Sequence, residues 1–134
     1  MADKFKLNII SPEKKFLEGD CEFLEFVSTE GELGVYAKHI PLTTILEPGV
    51  LRIKTDGNVR EAALHDGFVQ IQKDKVTVLA ESCEWPDEID ANRDRKAKER
   101  AERRLTSGSK EVDMVRAELA LKKALIRIDL AGKH

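Results

Sequence analysis

The sequence predicts an α+β protein with a mainly β body, in which residues 1–84 form short strands and residues 85–134 form a helical hairpin. In the first part, polar and apolar residues alternate over short runs, and turn residues separate these runs about every ten positions, which is typical of a β-sandwich or a β-barrel. In the last part, apolar residues recur every three or four positions, as on one face of an α-helix. A length of 134 residues suits one domain with an appendage.

Strands of the amino-terminal part follow from this alternation. In the first of them, Phe5, Leu7 and Ile9 share one face and polar residues occupy the other. Asp56-Gly57 is a strong hairpin signal between two further runs. The predicted strands are Lys4–Ile10, Cys21–Thr29, Leu51–Thr55, Asn58–Leu64, Gly67–Gln72 and Lys75–Ala80.

Three segments of this part need separate interpretation. In the strand Cys21–Thr29, Glu25 falls among apolar residues, so the pattern leaves open which face is buried. His65-Asp66-Gly67 predicts a turn before the next strand. In Thr29–Pro41, two glycines three positions apart allow positive φ at two points, which predicts a tight, bent loop.

Charge is distributed unevenly along the chain. Residues 1–84 contain 10 basic and 15 acidic side chains, a net charge of −5, whereas residues 85–134 contain 13 basic and 10 acidic ones, a net charge of +3. This asymmetry is consistent with an acidic partner for the carboxyl-terminal part, with docking of that part on the body, or simply with solvated helix surfaces.

The scarcity of cysteines and the absence of long apolar runs predict the compartment and the redox state of the chain. Cys21 and Cys83 lie far apart without metal-ligand spacing, which predicts reduced thiols and no metal site. No apolar run approaches the ~20 residues of a transmembrane helix. The charged start Met1–Lys4 resembles neither a signal peptide nor a transit peptide, so we expect the chain to act where it is made.

A helical hairpin is predicted over Ile89–Leu130, with its two helices joined by Thr106–Lys110. In the first helix, Ala97, Ala101 and Leu105 recur every four residues and form one thin apolar stripe. An alanine buries little area, and at about 25 cal/mol per Å² it contributes roughly 1 kcal/mol or less. The hairpin should therefore be closed only weakly, so that a partner or ligand could change its conformation.

The second helix has a wider apolar arc than the first helix can cover. We therefore predict that it contacts two surfaces, its sister helix and a second one on the body or on a partner. The residues of this arc are Met114, Val115, Ala117, Leu119, Leu121, Leu125, Ile126, Ile128 and Leu130.

Neither histidine considered for catalysis comes with the residues that catalysis needs. No serine or cysteine nucleophile pattern accompanies His39, and His65 is followed by Asp66 on a strand, where neighbouring side chains point to opposite faces. Phosphate-binding loops of the GxxxxGK[ST] type and the GxSxG, HExxH and CxxC motifs are absent. The sequence thus favours a non-catalytic protein.

A family resemblance rests on several motifs in the right order. The stretch from Glu30 to Leu42, EGELGVYAKHIPL, closely resembles the signature loop of the ε subunit of bacterial F-type ATP synthase. Pro48-Gly49, Gly67-Phe68-Val69, Val76–Ala80 and the Ala-Glu-Leu-Ala run that starts at Ala117 also resemble this family, and the likeness covers essentially the whole chain.

This resemblance implies a role in a rotary complex. Residues 1–84 would be a ten-stranded β-sandwich on the rotor, contacting the γ subunit and the c-ring, and residues 85–134 a regulatory hairpin. Glu30, Gly31 and Glu32 would face the c-ring, and His39 and Leu42 would lie near γ. An extended hairpin would approach the β subunits and block ATP hydrolysis, and the protein would lie peripherally at the cytoplasmic face of the cell membrane.

The resemblance also implies a regulatory ATP site, with or without Mg²⁺, at the start of the hairpin. Some members bind ATP through Ile-Asp-x-x-Arg-Ala, and this chain has the sequence from Ile89 to Arg93 followed by Asp94 instead of alanine. Asp94 would add negative charge near the phosphates and weaken binding; alternatively, these residues serve only helix capping and solvation. The matching positions are Glu84, Asp90, Arg93, Arg100, Lys123 and Arg127.

Three other functions remain open from the residues alone. A nucleic-acid-binding protein could use the basic helix 93–104, although acidic residues interrupt its charge and no aromatic platform accompanies it. A small enzyme could use His39 or His65 with a carboxylate. A generic protein-binding adaptor would show the same strands and helices.

Overall fold

The structure, a computed structural model, describes residues 3–106 and 111–133. The predicted helix stop around Gly108 lies outside the described residues. The chain divides into two compact units, Met1–Glu84 and Trp85–His134. No helix in the described ranges is both long enough and apolar enough to cross a membrane.

Eight strands make up the described part of the first unit, where the family resemblance implied ten. The sheet order is β2-β1-β8-β7-β5-β3-β4, with β6 pairing both β3 and β7. All pairs are antiparallel except β1 with β8. The strands are β1 (Phe5–Ile10), β2 (Lys15–Cys21), β3 (Phe23–Ser28), β4 (Gly31–Tyr36), β5 (Leu42–Leu46), β6 (Gly49–Thr55), β7 (Asn58–Ile71) and β8 (Lys75–Glu84).

The predicted turn at His65-Asp66-Gly67 is wrong, because β7 continues through it. Along one edge, β7 pairs first with β6 and then with β5, and along the other edge it pairs with β8. Asp66 and Gly67 have φ of 44° and 141°. They therefore bend the strand without ending it, and two predicted strands merge into one, which lowers the strand count.

The sheet folds back on itself into a sandwich, so that β2 at one end of the strand order contacts β6. The Thr55 hydroxyl of β6 donates a hydrogen bond to the Asp20 carbonyl of β2 (3.1 Å). Between the layers, Leu7 and Ile9 are buried beside Val76 and Val78, their register partners on β8. The β1 alternation predicted from the sequence is thus confirmed.

The structure also decides which face of β3 is buried. Leu24, Phe26 and Ser28 are buried, and Glu25 is only half-buried on the other face. The Arg52 guanidinium forms an ion pair with the Glu25 carboxylate at 3.4 Å. Glu25 thus has a partner on the neighbouring strand β6 and does not interrupt the core.

The middle of the predicted bent loop, Gly31–Tyr36, is the strand β4, which forms a hairpin with β3. Gly31 has positive φ at the turn, but Gly34 does not. A Cβ at Gly34 would lie 2.7 Å from the ring of Phe23. The second glycine therefore serves close ring packing, and this is why the loop prediction failed.

The second unit contains a 3₁₀ turn and two helices, α1 (Ala91–Thr106) and α2 (Glu111–Lys133), which pack on each other. The Asp90 side chain caps α1, because its Oδ1 accepts hydrogen bonds from the backbone N–H groups of Asn92 and Arg93, both at 3.1 Å. The two helices predicted within Ile89–Leu130 are confirmed, and α2 continues to Lys133.

The bend in β7 predicts a strong requirement for Gly67. A Cβ there would lie 1.9 Å from the Leu79 carbonyl oxygen, in addition to the strain of positive φ. We expect Gly67→Ala to lower the free energy of unfolding by more than about 2 kcal/mol, measured by urea denaturation. Gly19→Ala is the matched control, since no atom lies within 4 Å of its Cβ position, and it should change stability by less than about 0.5 kcal/mol. Equal effects of the two substitutions would contradict this interpretation of the bend.

Candidate functional site

An exposed apolar surface lies on β5 and β7. We call the register pair Ile45 and Phe68 the β5–β7 patch; Ile40 and Leu42 are exposed as well, but by strand alternation Leu42 lies on the other face of β5, with Thr44 and Leu46. Ile45 and Phe68 are register partners on adjacent strands, with 61% and 41% of their surface exposed. Large apolar side chains gathered on an otherwise polar surface mark an interaction site.

The sequence analysis identified neither residue of this patch, only Leu42 on the other face of β5. A signal for Phe68 was nevertheless present: Val69 and Ile71 alternate as the buried residues of β7, so Phe68 lies on the polar face with Gln70. An aromatic residue on the polar face of a strand is informative because burial does not explain it.

The acidic residues predicted to face the c-ring lie at the tip of the β3–β4 hairpin. Glu30, Gly31 and Glu32 are exposed there. The Ser28 hydroxyl shapes the turn, donating to the Gly31 carbonyl (2.8 Å) and accepting from the Glu30 N–H (3.1 Å). The tip therefore presents two carboxylates on a backbone held by side-chain hydrogen bonds.

His39, predicted to lie near γ, follows β4 and so lies at the other end of that strand. With about 3.3 Å per residue, the six residues of β4 (Gly31–Tyr36) separate the two ends by roughly 17 Å. The His39 ring packs edge-on against Phe5 with the ring centres 5.5 Å apart. The structure thus divides the predicted rotor-contact residues into two places, the hairpin tip and the segment that leads from β4 into β5.

In two groups of the first unit, His39 and Cys21, burial is the main cause of a shifted pKa. Burial lowers the pKa of His39, against a smaller opposing effect of Asp74. Burial raises the pKa of the Cys21 thiol to about 11, and this thiol donates to the Phe23 carbonyl at 3.2 Å. Cys21 and Cys83 are both free and buried, and within the described ranges no cluster of three or more potential metal-binding side chains occurs.

In the second unit, small residues are buried where the two helices contact each other. Ala101 of α1 and Ala117 and Ala124 of α2 are buried, while Ala97 and Leu105 are half-buried. The predicted alanine stripe is therefore present, and α2 has alanines of its own. Val115, Leu119 and Leu125 of α2 remain exposed. In the described part of this helix, the apolar arc is therefore wider than the surface that its contacts bury.

The sequence analysis missed that Asp94 belongs to this stripe. Asp94 is buried on α1, three residues before Ala97. The Arg127 Nη1 of α2 lies 3.8 Å from the Asp94 Oδ1. The mismatch with the nucleotide motif is thus a buried, paired carboxylate between the helices, not an additional charge in solvent.

The other residues of the predicted nucleotide site lie on several elements. Asp90 caps α1, and Arg93 and Arg100 are exposed seven residues apart, on one helical face beside the stripe. Lys123 lies one turn before Arg127 on α2 and is half-buried. Glu84 ends β8 in the first unit. The Asp94–Arg127 contact brings the start of α1 next to the part of α2 that carries both predicted cations.

Comparison with known proteins covers both units. Residues 4–86 match the β-sandwich domain of the ATP synthase delta/epsilon chain, and residues 87–132 match the long α-helix domain of the same chain. The ATP synthase epsilon chain of Caldanaerobacter subterraneus subsp. tengcongensis is 43% identical, and the alignment covers 100% of this chain and 98% of that protein. The epsilon chain of Halalkalibacterium halodurans is 44% identical, with coverage of 95% and 96%.

Solved structures share the fold. A chain in the Euglena gracilis mitochondrial ATP synthase structure (OSCP/F1/c-ring) superposes with a TM-score of 0.84 at 23% identity, covering 98% of this chain and 82% of that one. A chain in the Tetrahymena thermophila mitochondrial ATP synthase structure (central stalk/c-ring) gives a TM-score of 0.69 at 13% identity, covering 97% and 98%.

With both of its units matched and with relatives aligned along their full length, the chain belongs to the ATP synthase delta/epsilon chain family, in which these bacterial relatives are epsilon chains.

Proposed function

We propose that the chain is a non-catalytic central-stalk subunit of an F-type ATP synthase that couples γ to the c-ring and inhibits ATP hydrolysis through its hairpin. Residues 1–84 form the rotor-binding domain and residues 85–134 the regulatory domain. Membership in the epsilon-chain family along the whole sequence carries this proposal. As part of that complex, the chain acts peripherally at the cytoplasmic face of the cell membrane.

Two contact regions of the sandwich support two rotor partners. The β5–β7 patch is apolar and exposed, which suits a permanent interface with γ, and the exposed Leu42 beyond His39 extends the predicted γ contact to the start of β5. The tip of the β3–β4 hairpin carries the carboxylates of Glu30 and Glu32 on a firmly held turn, which suits polar contacts with the c-ring. The patch adjoins the tip, because the Thr29 N–H donates a hydrogen bond to the Ile45 carbonyl (3.0 Å), whereas His39 lies beyond the other end of β4.

The hairpin is suited to a change of conformation. Its helices meet through alanines, which bury little apolar area, and the exposed residues of α1 are largely basic. In the extended conformation that we propose, this basic face approaches an acidic segment of the β subunits and stops rotation in the hydrolysis direction. Because closure rests on so little buried area, contacts with the catalytic head can outweigh it.

ATP is the regulatory ligand we propose for the hairpin, with or without Mg²⁺, bound with low affinity. Arg93, Arg100, Lys123 and Arg127 would hold the phosphates, because guanidinium groups bind phosphate oxygens in pairs. The position of Arg127 against the start of α1 supports such a site. Asp94 opposes such a site, because its carboxylate already forms an ion pair with the Arg127 side chain. Glu84 and Asp90 complete the predicted set.

The nucleic-acid-binding and generic-adaptor alternatives find no support in the relatives described above, which are ATP synthase chains. Within α1, acidic residues also offset the positive charge, as in the ion pair between Lys98 Nζ and Glu102 Oε1 at 3.7 Å. We therefore do not retain either alternative.

The γ-binding role of the β5–β7 patch predicts a specific loss of binding. We expect Ile45→Lys to weaken the complex with γ at least tenfold, because it places a charge in the apolar patch; surface plasmon resonance with immobilised γ measures this. Val59→Lys is the matched control, since Val59 is 57% exposed on β7 outside the patch, and it should leave binding within about twofold. If both variants bind like the parent chain, the patch is not the γ interface.

The inhibitory role predicts a gain of activity on truncation. A chain that ends after Glu84 retains the first compact unit, so it should still assemble with the rotor. We expect ATP hydrolysis by the catalytic head reconstituted with this truncated chain to exceed that with the full chain at least twofold, measured by phosphate release. Unchanged hydrolysis with assembly intact would contradict inhibition and leave the coupling role.

A further inference from the structure

Asp94 has an unusual environment for a charged residue. Among the hairpin residues whose side chains the structure describes, it is the one buried charged residue, and it lies on the α1 stripe otherwise formed by Ala97, Ala101 and Leu105. A carboxylate is costly to bury unless a cation or hydrogen-bond donors compensate for its lost hydration. The residue that compensates it is therefore part of what holds the helices together.

One such residue is Arg127, on the opposite helix. Its Nη1 lies 3.8 Å from the Asp94 Oδ1, and the exposed fractions of the two side chains are 25% and 8%. Water screens such a pair much less than a surface ion pair. The position of Asp94 also suits the helix dipole, because it lies in the first turn of α1.

The ion pair also determines how the alanines meet. In antiparallel helices of equal rise, a contact between residues 94 and 127 brings Ala97 level with Ala124. A slip of one turn would separate Asp94 from Arg127 but would again place alanines level, Ala101 with Ala124 in one direction and Ala97 with Ala120 in the other. Alanine contacts alone give such registers similar free energies. The buried ion pair separates them, because a shift that leaves Asp94 without a cation is strongly destabilising.

We propose that the Asp94–Arg127 pair is an internal latch that keeps the hairpin closed without a bound ligand. The Asp94 carboxylate supplies Arg127 with the anionic partner that a phosphate group would otherwise provide, so a phosphate ligand has to compete with a residue of the same chain. Opening the hairpin exposes both charges to water, and this exposure lowers the cost of separating them. The latch is a property of the hairpin and does not depend on the proposed role in ATP synthase.

A double-mutant cycle in the full chain tests the latch. Hydrogen exchange of the α1 and α2 amides is compared for the parent, Asp94→Asn, Arg127→Gln and the double variant, with the sandwich amides as an internal reference. Each single substitution leaves one buried group without its charged partner, so we expect exchange in the helices to rise at least tenfold. In the double variant no unpaired charge remains, so exchange should rise far less than the product of the two single effects.

Glu102→Gln is the control, because it removes an ion pair between Glu102 and Lys98 that lies within α1 and whose two side chains are both exposed. It should change exchange less than about threefold. The latch is refuted if the two single effects multiply in the double variant, or if Asp94→Asn changes exchange no more than Glu102→Gln. Should a single variant lose all helix protection, recovery of protection in the double variant supports the latch, and its absence refutes it.

A calorimetric titration tests the competition with phosphate. ATP and, separately, inorganic phosphate are titrated into the parent chain, Asp94→Ala, and Asp94→Ala combined with Arg127→Gln. We expect Asp94→Ala to bind ATP at least tenfold more tightly than the parent and the combined variant to lose this gain. Equal heats of binding for the parent and Asp94→Ala would refute the competition. The exchange experiment would still decide whether the latch exists. The latch and the proposed ATP site can therefore fail independently. A gain with inorganic phosphate as well would show that Arg127 binds the phosphate group without the nucleoside.

Discussion

The bend of β7 at Asp66 and Gly67 is the constraint on which the amino-terminal unit depends. Because the strand turns without ending, one of its edges pairs with β6 and then with β5, and its other edge pairs with β8. This single strand therefore joins the parts of the sheet that fold over each other. The backbone of Leu79 lies so close to Gly67 that a side chain there has no room. The same geometry presents Phe68, the next residue, on the outside beside Ile45.

The two units differ in the size of the side chains that they bury. The sandwich encloses phenylalanine, leucine, isoleucine and valine side chains, each worth about 1.5–3 kcal/mol when fully buried, whereas the helices meet mainly through alanines, worth roughly 1 kcal/mol or less each. A structure with one firmly packed unit and one weakly closed unit suits a protein that stays bound through the first and responds through the second. In such a weakly closed hairpin, one partly buried ion pair contributes a large share of the free energy that holds the two helices together.

Much of the fold could be predicted from the sequence, since alternation located β1, β3, β6 and β8, and helical spacing located α1 and α2. The failures have a common physical cause. Glycines in β4 and β7 were interpreted as loop and turn residues, but Gly34 accommodates the Phe23 ring and Gly67 accommodates the neighbouring strand. Both requirements arise from residues distant in sequence, so local propensity could not reveal them. The same holds for Asp94, whose partner Arg127 is 33 positions away.

The sequence by itself determined β1, β3, β6, β8 and the two helices, the alanine stripe, the charge asymmetry and the resemblance to a family, because these depend on local pattern and residue type. Only the tertiary structure decided which face of β3 is buried, that Ile45 and Phe68 form one exposed surface, and that Asp94 is paired between two helices. Each of these depends on which distant segments come together, and burial and ion pairing are properties of the assembled contacts rather than of any one segment.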